Sequence, residues 1–127
     1  MQRIAKAGNI KILWQDSRFY EYMIVRIKEN SWLAKLAAKK LRSPKMAMVF
    51  GKTIHLHNTS REEFLRNEKW VCHELAHVKQ YAKYGCLQFL FMYMLESIKN
   101  GYRNNKFELE ARSKERDASI LLDFAIS

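Results

Sequence analysis

Apolar residues recur at helical spacing across residues 69–83, a stretch that contains no Gly or Pro. The apolar positions lie four, three and four residues apart, at Val71, Leu75, Val78 and Ala82. This spacing predicts an amphipathic helix that packs on the core through these side chains. At about 100° per residue, His73 and His77 fall on the opposite side. We therefore expect both histidines to face away from the core, together with Gln80 and Tyr84.

Two helices are predicted upstream of this segment. Asn30 or Ser31 is a capping residue ahead of a helix that ends near Arg42, before a proline. The expected buried stripe of that helix is Trp32, Leu33, Leu36, Ala37 and Leu41. Residues 60–63 match a capping box that opens a second, shorter helix.

Two more helices are predicted downstream. Residues 87–98 indicate a very apolar helix, preceded by a break at Gly85 and followed by a stop at Gly101. A long C-terminal helix is expected from Asn105. One face of it would consist of Phe107, Ala111, Ala118, Leu121, Leu122 and Ala125.

Short alternating segments predict strands. Met46–Phe50 and Thr53–His57 fit two strands joined by a turn at Gly51, although one bent strand is an alternative. Residues 10–14 predict a strand, and residues 20–27 fit either a strand or a helix. The chain therefore predicts an α+β fold, mostly helical, with a short antiparallel sheet or hairpin beside the histidine-bearing helix.

Composition and charge limit the classes of function that the chain can have. The 127 residues, 48% of them hydrophobic, are typical of one globular domain over residues 1–127. The net charge of +10 is uneven, because residues 1–58 hold 12 Lys or Arg and 3 Asp or Glu. A basic half can approach nucleic acid or an acidic partner, but a solvated surface is the simpler interpretation and the one we favour. Within this basic half, residues 1–45 match no motif that assigns them a role.

Targeting and redox features point to the cytoplasm. No apolar segment typical of a signal peptide follows Met1, and no apolar stretch is long enough to cross a membrane. Cys72 and Cys86 would lie about 20 Å apart along one continuous helix, too far for a disulfide. We expect both cysteines to be reduced and buried, as in a cytoplasmic protein.

The candidate chemistry centres on residues 73–77, which read His-Glu-Leu-Ala-His. On a helix, His73 and His77 present two imidazoles to one point, with Glu74 one step around. Two neutral imidazoles suit Zn²⁺, and a carboxylate beside the metal can act as base on a metal-bound water. This is the zincin motif. Two surface histidines on an ordinary amphipathic helix are the alternative.

A catalytic zinc usually takes three protein ligands, and no histidine follows His77. A downstream carboxylate must then supply the third ligand. The candidates are Glu96, Glu108, Glu110, Glu115 and Asp117.

Residues 104–112, Asn-Asn-Lys-Phe-Glu-Leu-Glu-Ala-Arg, resemble the second motif of gluzincin metallopeptidases, in particular the CAAX prenyl-protein peptidases and the bacterial membrane heat-shock peptidases. Residues 73–80 also resemble small bacterial zincin-like domains of unassigned function. The resemblance implies a zincin-like domain whose metallopeptidase-like core spans residues 46–112. It implies Glu108 as the third zinc ligand, with Glu110 as the alternative.

Two observations keep the third ligand open. Asn105 followed by Glu108 also fits a helix cap with its capping-box acid, which would give Glu108 a structural role. The family's second motif ends in an Asp that orients a ligand, where this chain has Arg112. Glu110 is then left either to replace that Asp or to bind the metal itself.

These features predict a zinc-dependent metallopeptidase that hydrolyses peptide bonds with a zinc-bound water activated by Glu74. Tyr102, His55 and His57 are candidate donors to the oxyanion, each with an ordinary surface or packing role as the alternative. In zincins the strand before the metal helix is an edge strand that pairs with the substrate, so the resemblance implies this role for Thr53–His57, with a peptide or protein as the substrate. In so short a chain, a partner protein could complete the cleft.

Two other functions stay open. The chain could be a non-catalytic zincin-like binding module that contacts an acidic partner or nucleic acid through its basic half. Residues 87–98 could also attach to a membrane surface with the help of basic residues. Because that stretch is apolar nearly all round, as a buried helix would be, we expect it in the core instead.

Overall fold

A computed structural model describes the backbone of residues 3–7, 10–15 and 18–127 and the side chains of residues 23–127. The strands are β1 (Arg3–Ala7), β2 (Ile10–Gln15), β3 (Arg18–Lys28), β4 (Met46–Phe50), β5 (Thr53–His57) and β6 (Phe124–Ile126). The helices are α1 (Trp32–Leu41), α2 (Arg61–Arg66), α3 (Glu68–Tyr84), α4 (Cys86–Asn100) and α5 (Lys106–Ser113), followed by a 3₁₀ helix (Ala118–Asp123). The predicted α+β class is confirmed. None of the described helices combines the length and the apolar character that a membrane span requires.

The described strands form one mixed sheet in the order β1-β2-β3-β5-β4, with β6 also paired to β3. The long strand β3 changes partner along its length. Residues 18–23 pair antiparallel with β2, residues 23–25 pair parallel with β6, and residues 26–28 pair parallel with β5. The sheet is therefore larger than predicted, since the parallel pairs join segments too distant in sequence for local patterns to reveal.

The predicted hairpin is present within this sheet. Strands β4 and β5 pair antiparallel, and the turn between them places Gly51 at a φ of +63°, which glycine adopts without steric cost. The expectation that Thr53–His57 is an edge strand is wrong. Because β5 pairs with β3 on one side and β4 on the other, the edge falls to β4.

Helix α3 is buried on two sides. Val71, Leu75 and Val78 pack into the core against buried residues of β4, β5 and α2, as predicted, whereas Ala82 is exposed. The side that carries His77 and Gln80 was expected to face away from the core, yet both residues are buried, and so is the neighbouring Glu74. Helices α4 and α5 contact α3 and cover this face. The repeat of apolar residues could not show this, because the second buried face is polar.

Helix α1 packs through smaller residues than expected. Its predicted limits are confirmed, with Ser31 accepting a hydrogen bond from the Ala34 amide. Ala34 and Ala38 are the buried residues, however, while the predicted stripe residues Trp32, Leu36 and Leu41 are exposed. Two alanines a turn apart let the helix approach the β4–β5 hairpin closely, which leaves the bulky side chains outside.

The predicted long C-terminal helix is wrong. Helix α5 ends at Ser113, and the chain continues as the 3₁₀ helix and β6. The Asp117 carboxylate caps the 3₁₀ helix by accepting a hydrogen bond from the Ser119 amide. Strand β6 then gains a ladder with β3, so that pairing in the sheet replaces continued helix. The predicted common face of Ala118, Leu121, Leu122 and Ala125 does not form.

The hydrogen bond between Ser31 and His55 fastens α1 to the sheet. Ser31 Oγ lies 2.8 Å from His55 Nδ1, and the Ser31 amide donates to the Leu56 carbonyl. Burial, with a smaller contribution from the charge of Lys28, lowers the pKa of His55 below its ordinary 6.5. Folding therefore favours the neutral form of this imidazole.

This lowered pKa predicts a pH dependence of stability. Above pH 6.5, the ordinary pKa, His55 is neutral in both the folded and unfolded states. Below it the unfolded chain takes up the proton first, so stability declines as the pH falls. In urea denaturation we expect the free energy of unfolding to fall more between about pH 7 and pH 5 in the wild type than in His55→Gln. Equal declines in the two proteins would contradict this role.

Candidate metal centre

Helices α3 and α5 bring three potential ligands together. His73 and His77 project from the same side of α3, with ring centroids 5.0 Å apart. Glu108 lies in the first turn of α5 and faces both rings. Asn105 fixes the start of α5, since its side chain caps the Phe107 amide and donates to the Tyr93 carbonyl at 3.1 Å. The fully buried Asn105 thus holds the start of α5 on α4.

The ligand atoms converge on one point. Glu108 Oε1 lies 3.0 Å from His73 Nε2 and 3.2 Å from His77 Nε2, and the three atoms lie within 4.8 Å of one another. Ligands about 2.0–2.1 Å from a tetrahedral cation are roughly 3.3 Å apart, close to these separations. His73, His77 and Glu108 could therefore hold a metal ion. The capping-box role that competed for Glu108 is not seen, since its carboxylate faces the imidazoles.

The other ring nitrogen of each histidine is already engaged. His73 Nδ1 lies 2.8 Å from Glu115 Oε2, and His77 Nδ1 lies 2.8 Å from Gln80 Oε1. The Gln80 amide is oriented in turn, because its Nε2 donates to the Phe107 carbonyl and to the Glu110 carboxylate. Since these oxygens accept hydrogen bonds, each Nδ1 carries a proton, whether the Nε2 of the same ring donates to Glu108 or binds a metal. Each Nε2 is thus the nitrogen that can bind a metal, with the ring held in place behind it.

Carboxylates make the centre attractive to positive charge. Although burial favours neutral imidazole, Glu108, Glu74 and Glu115 raise the pKa of His73 to about 9. The pKa of His77 is raised in the same way, against burial, chiefly by Glu108. Burial also opposes ionisation of Glu108, yet hydrogen bonds from both histidines hold its pKa well below the ordinary value. The site therefore favours positive charge between these groups, whether protons or a metal cation supply it.

Glu74 is placed beside the ligands. It is 4% exposed, and burial raises its pKa to about 7. Among the described residues its carboxylate takes part in no hydrogen bond, unlike those of Glu108, Glu110 and Glu115. A buried carboxyl group with free hydrogen-bonding capacity is available to a solvent molecule or substrate in the adjoining cleft.

A cleft of about 520 Å³ opens above the centre. Glu74 and the three potential ligands lie in its lining, together with Tyr93 and Tyr102. The Tyr93 hydroxyl donates to Glu108 Oε2, so the second oxygen of that carboxylate is also held. Burial and the nearby Glu108 and Glu74 raise the pKa of Tyr102 to about 12, which keeps its hydroxyl protonated. Apolar side chains from α1, β4 and α4 form most of the remaining wall.

The other candidate ligands and oxyanion donors named from the sequence lie outside the cluster of His73, His77 and Glu108. Glu110 holds Gln80 rather than joining the ligands, Glu96 accepts from Asn100 and the Lys106 amide, and Asp117 caps the 3₁₀ helix. His55 bonds Ser31, and neither His55 nor His57 is among the described residues that line the cleft. Arg112, at the position of the family's Asp, donates to the Arg103 carbonyl. The roles of Tyr93 and Glu115 and the hydrogen bond from Asn105 to α4 were not predicted, whereas Asn105 was predicted as a helix cap. The feature of the sequence that could have pointed to Glu115 was its position seven residues after Glu108.

Comparison of the chain with models of protein families, with curated proteins and with solved structures found no match in any of the three.

The geometry predicts which glutamate is needed for metal binding. We expect Glu108→Ala to weaken zinc binding by more than about 100-fold, since it removes a ligand atom. Glu110→Ala should weaken it by about tenfold or less, because Glu110 acts only through Gln80. Competition with a chromophoric chelator measures both affinities. Retention of zinc by Glu108→Ala with loss in Glu110→Ala would overturn the assignment.

Proposed function

We propose that the protein is a zinc-dependent peptidase. The observation that carries the proposal is the convergence of two imidazole nitrogens and one carboxylate oxygen beside the buried Glu74, at the base of an open cleft. The order of the motifs supports it as well, since His-Glu-Leu-Ala-His is followed by the gluzincin-like segment that contains Glu108.

The donor set suits zinc better than the hard cations of comparable charge. Imidazole nitrogen binds zinc well, whereas Mg²⁺ and Ca²⁺ select oxygen ligands. His73, His77 and Glu108 would hold the ion, and Glu115 and Gln80 would keep the two rings aligned. Zinc bound there would lower the pKa of a coordinated water and polarise the carbonyl of the scissile bond.

Glu74 would move the proton. Its carboxylate lies in the same cleft lining as the ligands and has no competing hydrogen bond among the described residues. It would accept a proton from the attacking water and then deliver it to the nitrogen of the departing amine. The protonated Tyr102 hydroxyl, in the same cleft, would donate to the oxygen on which negative charge develops.

Strand β4 would receive the substrate. It is the edge strand on this side of the sheet, and four of its residues, Met46, Ala47, Met48 and Val49, line the cleft. An extended peptide could pair with its free backbone groups and so run across the metal centre. A peptide or protein is therefore the substrate class, and the edge strand is β4 rather than the β5 expected from the sequence.

The two cysteines favour a reducing compartment. Cys72 and Cys86 are both free. Because cysteines stay unpaired in a reducing compartment, we propose that the protein acts in one such as the cytoplasm.

The role of Glu74 can be separated from metal binding. We expect Glu74→Gln to keep one zinc per chain and to lower kcat by at least about 100-fold, since it removes the proton acceptor without removing a ligand. Turnover of a pool of quenched fluorescent peptides measures activity, and metal analysis of the same samples measures occupancy. Glu62→Gln makes the same change at an exposed carboxylate of α2 that does not line the cleft, so it is the matched control and should keep the wild-type activity.

Two outcomes would count against a peptidase. Hydrolysis by Glu74→Gln at the wild-type rate would exclude Glu74 as the base. A wild-type protein that binds zinc but cleaves no peptide in the pool would favour the alternative, a non-catalytic module that uses the cleft or its basic surface for binding.

A further inference from the structure

Helix α4 presents an apolar stripe to solvent. Leu87, Phe91 and Ile98 are 80%, 64% and 80% exposed, and Met94 and Leu95 are more than half exposed. Leu87, Phe91, Met94 and Ile98 are spaced four, three and four residues apart, so they lie in one row along the helix. Only Phe89 of α4 is fully buried. The sequence-based expectation that this helix is enclosed in the core is therefore wrong.

Helix α1 presents a mixed apolar and basic face. Trp32 and Leu36 are 67% and 57% exposed, and they lie one turn apart in the row that continues to Lys40. The basic residues Lys35, Lys39, Lys40 and Arg42 are exposed as well. None of these four takes part in an ion pair among the described residues. Residues 30–60 contain six Lys or Arg and no Asp or Glu. The positive charge of this region is thus not offset locally.

The two helices border the same cleft. Lys40 and Leu41 of α1 and Met94 and Ile98 of α4 all line the cleft above the metal centre. Leu41, Met94 and Ile98 therefore lie around one opening. Trp32 and Leu36 share the α1 row that ends at Lys40, and Leu87 and Phe91 share the α4 row that contains Met94 and Ile98. We name this region the apolar–basic surface, and it consists of Trp32, Leu36, Lys39, Lys40, Leu87, Phe91, Met94 and Ile98.

We propose that the apolar–basic surface binds the surface of an anionic phospholipid bilayer. Apolar side chains would enter the boundary between headgroups and acyl chains, where tryptophan is favoured, and the α1 lysines would contact the acidic headgroups. Charge complementarity favours lipid over a second copy of the chain, since two copies carrying +10 each would repel across this surface. The binding depends on no metal ligand, so it is independent of the proposed peptidase activity.

Vesicle flotation of the full-length protein tests the proposal. We expect binding to vesicles of phosphatidylcholine with phosphatidylserine, weaker binding to phosphatidylcholine alone, and weaker binding at raised salt. Phe91→Ser with Ile98→Ser should lower the partition coefficient by at least about tenfold through lost apolar contact. Lys39→Gln with Lys40→Gln should lower it by about 25-fold, since each lysine contributes about fivefold.

Matched controls come from the C-terminal part of the chain. Leu122 is 63% exposed on the 3₁₀ helix, so Leu122→Ser removes an equally exposed apolar side chain away from the apolar–basic surface. Lys114→Gln with Arg116→Gln removes the same charge as the α1 pair. Both controls should bind as the wild type does, and circular dichroism establishes that every variant is folded.

Three results would overturn the proposal. The first is failure of the wild type to bind anionic vesicles, and the second is binding by the two surface variants equal to that of the wild type. The third is a wild-type protein that binds no vesicles but forms a dimer that Phe91→Ser dissociates. The last result would assign the surface to a second copy of the chain. Glu108→Ala should bind vesicles normally, so loss of metal binding and loss of lipid binding are distinguishable.

Discussion

The structure depends on burying two imidazoles and a carboxylate together between α3, α4 and α5. Each of these groups would be costly to bury alone, by several kcal/mol for an unpaired charge. Together they are tolerated because each ring nitrogen and each carboxylate oxygen has a partner. A cation among the three inner atoms would balance the charge of Glu108, which suits a site built to hold one.

Hydrogen bonds around these groups hold α3, α4 and α5 in fixed positions relative to one another. Gln80 joins α3 to α5 through the Phe107 carbonyl and Glu110, and Asn105 joins α5 to α4. Aromatic packing of Phe89 with Phe107 and Tyr81 fills the space beneath. Hydrogen bonds fix the direction of the ligands, while apolar burial holds the helices at the distance that those bonds need.

One cleft connects the proposed chemistry with the outer surface. Its base holds the potential ligands and Glu74, one wall is the edge strand β4, and its rim carries exposed apolar residues of α1 and α4. The small residues Ala34 and Ala38 contribute to this arrangement, because they bring α1 close to the hairpin and leave Trp32 and Leu36 outside. The same packing that exposes these side chains thus helps shape the approach to the centre.

Local patterns in the sequence were sufficient for helices α1 to α4, for strands β2, β4 and β5, and for the two histidines. Helical spacing gave α3 and the pairing of His73 with His77, and the motif resemblance pointed to Glu108. Contacts between distant segments were not visible in those patterns. The parallel pairing of β6 with β3 ended the predicted C-terminal helix early, and the cover of α3 by α4 and α5 buried a polar face. The hydrogen bond from Tyr93 to Glu108 and the one from Asn105 to the Tyr93 carbonyl were missed because they exist only once α4 lies against α5.

The proposed function requires one zinc ion bound between two imidazole nitrogens and a carboxylate oxygen. X-ray absorption at the zinc edge of the purified, zinc-loaded protein measures these ligands. We expect an inner shell of nitrogen and oxygen at about 2.0–2.1 Å, with outer-shell scattering from two imidazoles. A sulfur ligand at about 2.3 Å, or a spectrum without imidazole scattering, would contradict it.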